Sequence, residues 1–315
     1  MNKNPSGSTA PVGRIYIIGA GAVGAAYASI FYDMAPGCIY FIAGGDRFER
    51  LQREGVIVNG KSYPIPVLNS GEPFPAADLV IFTVKHHHLD QAIGEMKHGI
   101  GPDTIVISLM NGIDSEKRIG AAYGMERILY ATVVGIDALR EGNNVIYTTQ
   151  GKIFLGEAQN PVLSERVRRV VDIFQRAGII HEVPADMIRT LWWKFMINVG
   201  INQASAALRG PYGLFQTSRE AQQLMEASMG EVIALAKKLS IDLSHEDIEK
   251  WYVVLASHSP TGKTSMLQDV EAGRKTEVEM LAGRITELGR KHGVPTPVNE
   301  HLLDTIKKIE ALNNI

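Results

Sequence analysis

The 315-residue sequence holds one cysteine, Cys38, so no disulfide can form within the chain. Its stability must come from a hydrophobic core, and the lone thiol fits a reducing cytoplasm. No apolar run approaches the roughly 18 residues of a membrane span. An excess of charge of one sign is also missing. The 32 Lys and Arg against 34 Asp and Glu leave a formal net charge of −2, with no global attraction to nucleic acid or anionic lipid. No repeat or low-complexity tract stands out. Residues 1–13, rich in Gly, Ser, Pro and Asn, lack the apolar core of a signal peptide and are expected to form a disordered tail. Hydrophobic residues make up 45% and charged residues 21%, an ordinary globular balance, and the length suggests about two domains.

The first half alternates strand and helix patterns. Arg14–Ile18 is a short apolar run with β-branched residues, hence a strand; a glycine-rich turn follows, then an alanine-rich helix from about Val23 to Tyr32. Cys38–Ala43 predicts a second strand, Arg47–Glu54 a short helix, and Val56–Val58 with Tyr63–Val67 a hairpin around Asn59-Gly60. Strands are expected at Leu79–Val84, Thr104–Leu109 and Ile128–Val134, a helix over Leu89–Lys97, and a second hairpin from Asn144–Thr149 and Lys152–Leu155. This alternation implies a mainly parallel, doubly wound α/β sheet of the Rossmann type.

Near Val183–Pro184 long amphipathic helices take over: Ala185–Leu208, Thr217–Leu239, Ser244–Ser257, Ser265–His292 and Thr296 to about Leu312, the last with Pro297 at its first helical position. Thr217 with Glu220, and Ser265 with Gln268, have capping-box spacing. The expected organisation is a tail over 1–13, a dinucleotide-binding α/β domain over 14–184 and an all-α C-terminal domain over 185–315.

Gly19, Gly21 and Gly24 form G-A-G-A-V-G, with Ala22 and Val23, between the first strand and the first helix. One glycine makes the tight turn, one lets the backbone approach a pyrophosphate, and one lets the helix pack close to the sheet. The helix N-terminus then offers N–H groups to the phosphates. The strand–turn–helix context is what the motif requires. The end of the second strand should read the ribose: an acid there suits NAD, a basic residue NADP. Ile42-Ala43-Gly44-Gly45-Asp46-Arg47 offers one of each, and a solvated loop whose Arg47 starts a helix is the plain alternative.

In the second half, Lys194, Asn198 and Asn202 lie at i, i+4 and i+8 among Phe195, Met196, Ile197, Val199 and Ile201. Unpaired polar groups are costly in hydrocarbon, so the stripe faces either a polar cleft or solvent. Carbonyl reduction needs an acid to protonate the developing alkoxide, and a lysine flanked by amides has that chemistry.

Several ordered motifs from Arg14 to about Ala311 make the chain resemble the ketopantoate reductase family. They are the glycine turn, Thr83-Val84-Lys85, Asn111-Gly112, Leu191-Trp192-Trp193-Lys194 with Asn198 and Asn202, and Ser265-Met266-Leu267-Gln268-Asp269 with Thr276-Glu277. The resemblance implies NADPH-dependent reduction of 2-dehydropantoate to (R)-pantoate. Lys194 would be the general acid, with Glu277 near it. Asn198 and Asn202 would hydrogen-bond the substrate's hydroxyl and carbonyl region, and Ser265 its carboxylate. Asn111 and Glu277 would line the cleft near the nicotinamide, and Lys85 would contact the cofactor. Read from the residues alone, Ser265 is also an N-cap, Glu277 an exposed helix acid, and Lys85 and Asn111 loop residues after strands.

The family usually carries an arginine soon after the second strand, where this chain has Gly44. Arg47 or Arg50 would have to reach an NADP phosphate instead, and otherwise NADH becomes the cofactor. Two rivals stay open: reduction of another small 2-oxo acid by the same residues, and a non-catalytic dinucleotide sensor. A homodimer is left open too, with no nucleic-acid or membrane partner expected. His86-His87-His88 invites a metal reading, but adjacent histidines share no helix face and no carboxylate or cysteine spacing completes a site, so no metal is expected.

Overall fold

In a computed structural model, residues 13–313 are described. The expected tail lies outside them except for Gly13, whose N–H donates to Asp78. The chain divides into two compact units. One takes the chain up to Met110 and then Asp114–Ile188; the other takes Asn111–Ile113 and Arg189–Ile315. Among the described residues no helix is long and apolar enough to cross a membrane.

The first unit runs β1 (Ile15–Ile18), α1 (Ala22–Met34), β2 (Ile39–Ala43), α2 (Gly45–Glu54), β3 (Val56–Val58), β4 (Lys61–Tyr63), β5 (Val67–Asn69), β6 (Leu79–Phe82), α3 (Leu89–Glu95), β7 (Ile105–Ser108), α4 (Ser115–Tyr123), β8 (Tyr130–Ile136), β9 (Leu139–Glu141), β10 (Asn144–Ile146), β11 (Gln150–Gly156), α5 (Glu165–Ala177) and β12 (His181–Glu182). Five strands form a parallel sheet in the order β5-β2-β1-β6-β7. Successive side chains of a strand point to opposite faces. Ile15 and Ile17 join Tyr27 and Phe31 of α1 and Val170 and Phe174 of α5 in one core. Tyr16 and Ile18 join Leu89 and Ala92 of α3 and Ile119 of α4 in another. Cover on both faces explains why β1, β6 and β7 are buried at every position.

Several expectations are corrected here. The stretch Tyr63–Val67 is split, because Pro64 and Pro66 cannot donate to a ladder. Only Lys61–Tyr63 pairs with β3, and Val67–Asn69 joins the main sheet beside β2. The hairpin expected over Asn144–Leu155 does not form. β10 turns back on β9 across Gly142, whose φ is +60°. β11 pairs with β8 instead, and the Asp137 carboxylate accepts the N–H groups of Thr148 and Thr149 at 2.9 and 2.8 Å in the connection. Helices α4 and α5 are additional to the expected ones. α5 is capped by Ser164, which accepts from the Val167 N–H.

The second unit is helical: α6 (Met187–Ile197), a wider π turn over Asn198–Asn202, α7 (Gln203–Leu208), α8 (Tyr212–Thr217), α9 (Arg219–Lys238), α10 (His245–Ser257), α11 (Ser265–Glu271), a second π turn over Glu279–Gly283, α12 (Arg284–His292) and α13 (Pro297–Leu312). Two expected caps shift by one residue. Thr217 instead ends α8, its hydroxyl donating to the Gly213 carbonyl, and Ser218 caps α9. Thr264, not Ser265, caps α11. The expected long helix from Ser265 breaks after Glu271, where Gly273 takes φ +60° and the Arg274 guanidinium turns back to Asp269. The N-terminus of α13 is held by Glu231 of α9, which accepts from the Val298 and Asn299 N–H groups at 2.7 and 3.0 Å.

Candidate active site and dinucleotide turn

The glycine turn is dictated by steric contacts. Gly19 takes φ +108°, and a Cβ there would lie 2.8 Å from the Thr83 carbonyl. A Cβ at Gly24 would lie 2.0 Å from the Gly19 oxygen and 2.5 Å from Thr83 Oγ1. That hydroxyl donates to the Gly19 carbonyl at 2.6 Å, so Thr83, one residue past β6, clamps the turn. Gly21 differs: its nearest neighbour would be 4.0 Å away. The protein itself therefore does not need a glycine at this position, which leaves room for a ligand to approach. Gly21 caps α1 with no side-chain bond, and the first turn, which includes Ala22, Val23 and Gly24, holds no acid. The backbone donors of that turn fit the pyrophosphate of a dinucleotide.

In the first turn of α2, after β2, Arg47 is already engaged: its guanidinium pairs with the Glu95 carboxylate on α3. Lys85 follows β6 and caps a short 3₁₀ turn of His86–His88. The His87 and His88 rings lie 4.2 Å apart, and among the described residues no group of three or more candidate ligands is placed to hold a metal.

In the helical unit, Lys194, Asn198 and Asn202 share one helical path, but not a uniform one. A regular α-helix turns about 100° per residue, so over eight residues the stripe would drift by about 80°. The π turn beginning at Asn198 is wider and takes back part of that drift, keeping Asn202 closer to the line of Lys194. Gly200 inside that turn packs on Met229 of α9, where a Cβ would meet the methionine side chain at 2.4 Å.

Asn198 and Asn202 are buried. Lys194 is half-buried, and its ammonium makes no hydrogen bond or ion pair among the described residues. Burial pushes its pKa down to about 8. Asn202 likewise has no partner among the described residues.

Three candidates from distant parts of the sequence meet in a chain of hydrogen bonds. Asn198 Nδ2 donates to Asn111 Oδ1 at 3.1 Å, and Asn111 Nδ2 donates to Glu277 Oε2 at 3.1 Å. Gly112 allows this approach: its φ is +99°, and a Cβ would strike Met280 Sδ at 2.3 Å. Glu277 is buried and lies just ahead of the second π turn, which packs on the first. It is brought to Asn111 and forms no ion pair with Lys194. Ser265 is exposed at the start of α11.

One residue near Lys194 carries no signal in the sequence. His258, after α10, stacks on Tyr212 with ring centroids 4.5 Å apart and planes at 14°, and Trp251 lies beside it. Burial pushes the His258 pKa down, and the Lys194 ammonium lowers it further, so the two groups lie within electrostatic reach. No spacing rule connects position 258 with 194 or 212; tertiary packing brings them together.

Residues 15–160 match the family described as ketopantoate reductase PanE/ApbA, and residues 186–310 match its C-terminal domain. The 2-dehydropantoate 2-reductase of Aquifex aeolicus is 26% identical over 310 residues, covering 95% of this chain and 98% of that protein. Among solved structures, D-mandelate dehydrogenase with NADH and anilino(oxo)acetate superposes with a TM-score of 0.87 at 22% identity, covering 96% of this chain and all of that one. The 2-dehydropantoate 2-reductase of Geobacter metallireducens GS-15 superposes with a TM-score of 0.83 at 24% identity, covering 94% and 99%. With both halves matched, the chain belongs to the ketopantoate reductase family.

Proposed function

We propose that the protein reduces the C2 carbonyl of a small 2-oxo acid, with 2-dehydropantoate, converted to (R)-pantoate, as the leading substrate. The observation that carries this reading is Lys194, a desolvated amine with no anionic partner and a pKa near neutrality, one helical turn from a buried amide. A general acid works best with a pKa close to the working pH. At pH 7 Lys194 is mostly protonated and ready to give its proton to the carbonyl oxygen as that oxygen gains charge. A bound nicotinamide dinucleotide supplies the hydride. Asn202 has an amide free to orient the substrate. Asn198 is held by Asn111, and Asn111 by Glu277, so the carboxylate positions the amides rather than neutralising the lysine. Ser265 and Lys85 are the proposed contacts to substrate carboxylate and cofactor. On cofactor choice the family resemblance favours NADPH and the residues after β2 favour NADH, and the local geometry carries the greater weight.

A second reading is favoured by His258, within electrostatic reach of Lys194, and the Tyr212 ring stacked on it: the acid's side chain is aromatic rather than branched aliphatic. The structural relative that binds anilino(oxo)acetate agrees in kind. Following loss of nicotinamide absorbance with 2-dehydropantoate, phenylglyoxylate and short 2-oxo acids separates the readings. Preference for 2-dehydropantoate supports the first and preference for phenylglyoxylate the second. Dinucleotide binding with no turnover on any oxo acid would mean a sensor and sink both.

A further inference from the structure

β2 lies beside β1 in parallel register, with Ile42 opposite Ile18, so Gly44 follows its strand level with the glycine turn of β1. In a sheet of this kind the pyrophosphate sits on the turn after the first strand, and the residues after the second read the adenosine ribose. A recess of about 550 Å³ opens there, lined by Gly44, Asp46, Arg47, Ser70, Gln91 and Glu95 among others.

A side chain at position 44 would require Ser70 to give way. A Cβ there would lie 2.4 Å from Ser70 Oγ and 3.4 Å from Glu95 Oε1. Ser70 is itself buried, and its N–H is tied to the Ala43 carbonyl at 2.9 Å. Arg47, the nearest alternative cation, is bonded to Glu95 Oε1, which also accepts from Gln91 Nε2 at 2.9 Å. The Glu95 side chain is only 13% exposed. Turning Arg47 toward a phosphate would strip a shielded carboxylate of its partner beside an incoming dianion. Glu95 Oε2 remains an acceptor for a hydroxyl.

Resting on the reading that the first unit binds a nicotinamide dinucleotide, we propose that Glu95, on α3, is the specificity-determining residue that accepts a hydrogen bond from the adenosine ribose hydroxyls and excludes a 2′-phosphate, so that the cofactor is NADH. The acid expected on the second strand is supplied from another element, in the place that Gly44 leaves empty. This reverses the preference that the family resemblance implies.

The test is direct binding, independent of turnover. NADH and NADPH are titrated into the purified protein by fluorescence, and the redox-inert ADP-ribose and 2′-phospho-ADP-ribose by calorimetry. The wild type should bind the unphosphorylated member of each pair at least about tenfold tighter, the scale of one unfavourable charge contact. Glu95→Gln should narrow that ratio by about tenfold, chiefly by improving the phosphorylated ligand. Circular dichroism verifies that the variant folds. If Glu95→Gln unfolds, Ser70→Gly combined with Gly44→Arg, which clears the clash and adds the cation, should shift preference to NADPH by a similar factor. Equal or tighter wild-type binding of NADPH, or an unchanged ratio in a folded Glu95→Gln protein, overturns the assignment while leaving dinucleotide binding intact. Binding of neither dinucleotide overturns the parent reading and this one with it.

Discussion

The two units prepare for a ligand in opposite ways. After β1 the α/β unit leaves side chains out: Gly19 and Gly24 are pressed against Thr83 and the turn itself, and Gly21 is open. Along α6 and the π turn that follows it the helical unit buries polar groups instead: Asn198, Asn202 and, in part, a lysine without an ion pair. Omitting a side chain costs conformational entropy. Burying an unpaired polar group costs desolvation, which a substrate that bonds to it can offset. The first site should therefore depend on volume and be indifferent to pH, whereas the second should depend on charge and follow pH closely.

The largest expected effect tests the charged site. Lys194→Ala should lower turnover by about 10²- to 10⁴-fold. Dinucleotide affinity should stay within about threefold, because the substitution removes no group from the glycine turn. Steady-state rates beside a fluorescence titration check both, and near-normal turnover would remove Lys194 from the mechanism.

Next comes the steric site, where two neighbouring glycines should behave differently. Gly24→Ala overpacks the turn and should cost about 1–3 kcal/mol of stability in denaturant melts. Gly21→Ala should leave stability within about 0.5 kcal/mol, yet weaken dinucleotide binding, since its new methyl meets only the ligand. Equal melting losses for both would break the distinction drawn between the glycines.

The pH profile follows. With the Lys194 pKa lowered to about 8, the ammonium is present below that value, so kcat/KM for reduction should be flat near pH 7 and fall about tenfold per unit above pH 8. Alcohol oxidation should show the opposite trend. The sign for stability is distinct. A lysine whose folded pKa lies below its ordinary 10.5 destabilises the fold fully below pH 8, and the cost fades as pH climbs toward 10.5. Lys194→Met should accordingly raise the Tm at pH 7.

A last effect lies in the α/β unit, away from either site, and marks the limit of its indifference to pH. Glu116 is 2% exposed, and burial pushes its pKa up to about 7. A carboxyl raised above its ordinary 4.5 loses stability as pH rises between those values, and the loss persists above 7. Glu116→Gln should stabilise the protein at pH 8 by at most about 3–4 kcal/mol and change little at pH 4.5. A wild-type Tm that does not drop between pH 5 and 8 relative to the variant would contradict the raised value.

Much of the architecture was legible because it is local. Apolar runs with β-branched residues located β1, β2, β6 and β7 of the main sheet, and the strand–glycine–helix order located the turn, whereas β5 was hidden in a stretch that reads as one arm of a hairpin. Helix α5 was equally legible, with Val167, Val170 and Phe174 on one face behind Ser164, and was still missed. The caps at Thr217 and Ser265 slipped by one residue because Ser and Thr are adjacent at both places, and the choice between them depends on packing. The false hairpin over Asn144–Leu155 has the same origin. Each strand is visible in the sequence, but its partner is chosen by contacts that no local pattern contains.

The sequence by itself determined the element types, the dinucleotide turn and the amine on α6, since these follow from the 2- and 3.6-residue periodicities and from backbone freedom at glycine. Tertiary structure alone decided that Asn111 and Glu277, 166 positions apart, would share a hydrogen bond, that His258 would stand by Lys194, and that Glu95 would occupy the ground left by Gly44. Hydrogen bonds and like-charge repulsion act over a few ångströms of space, and the distance between residues along the chain says nothing about that separation.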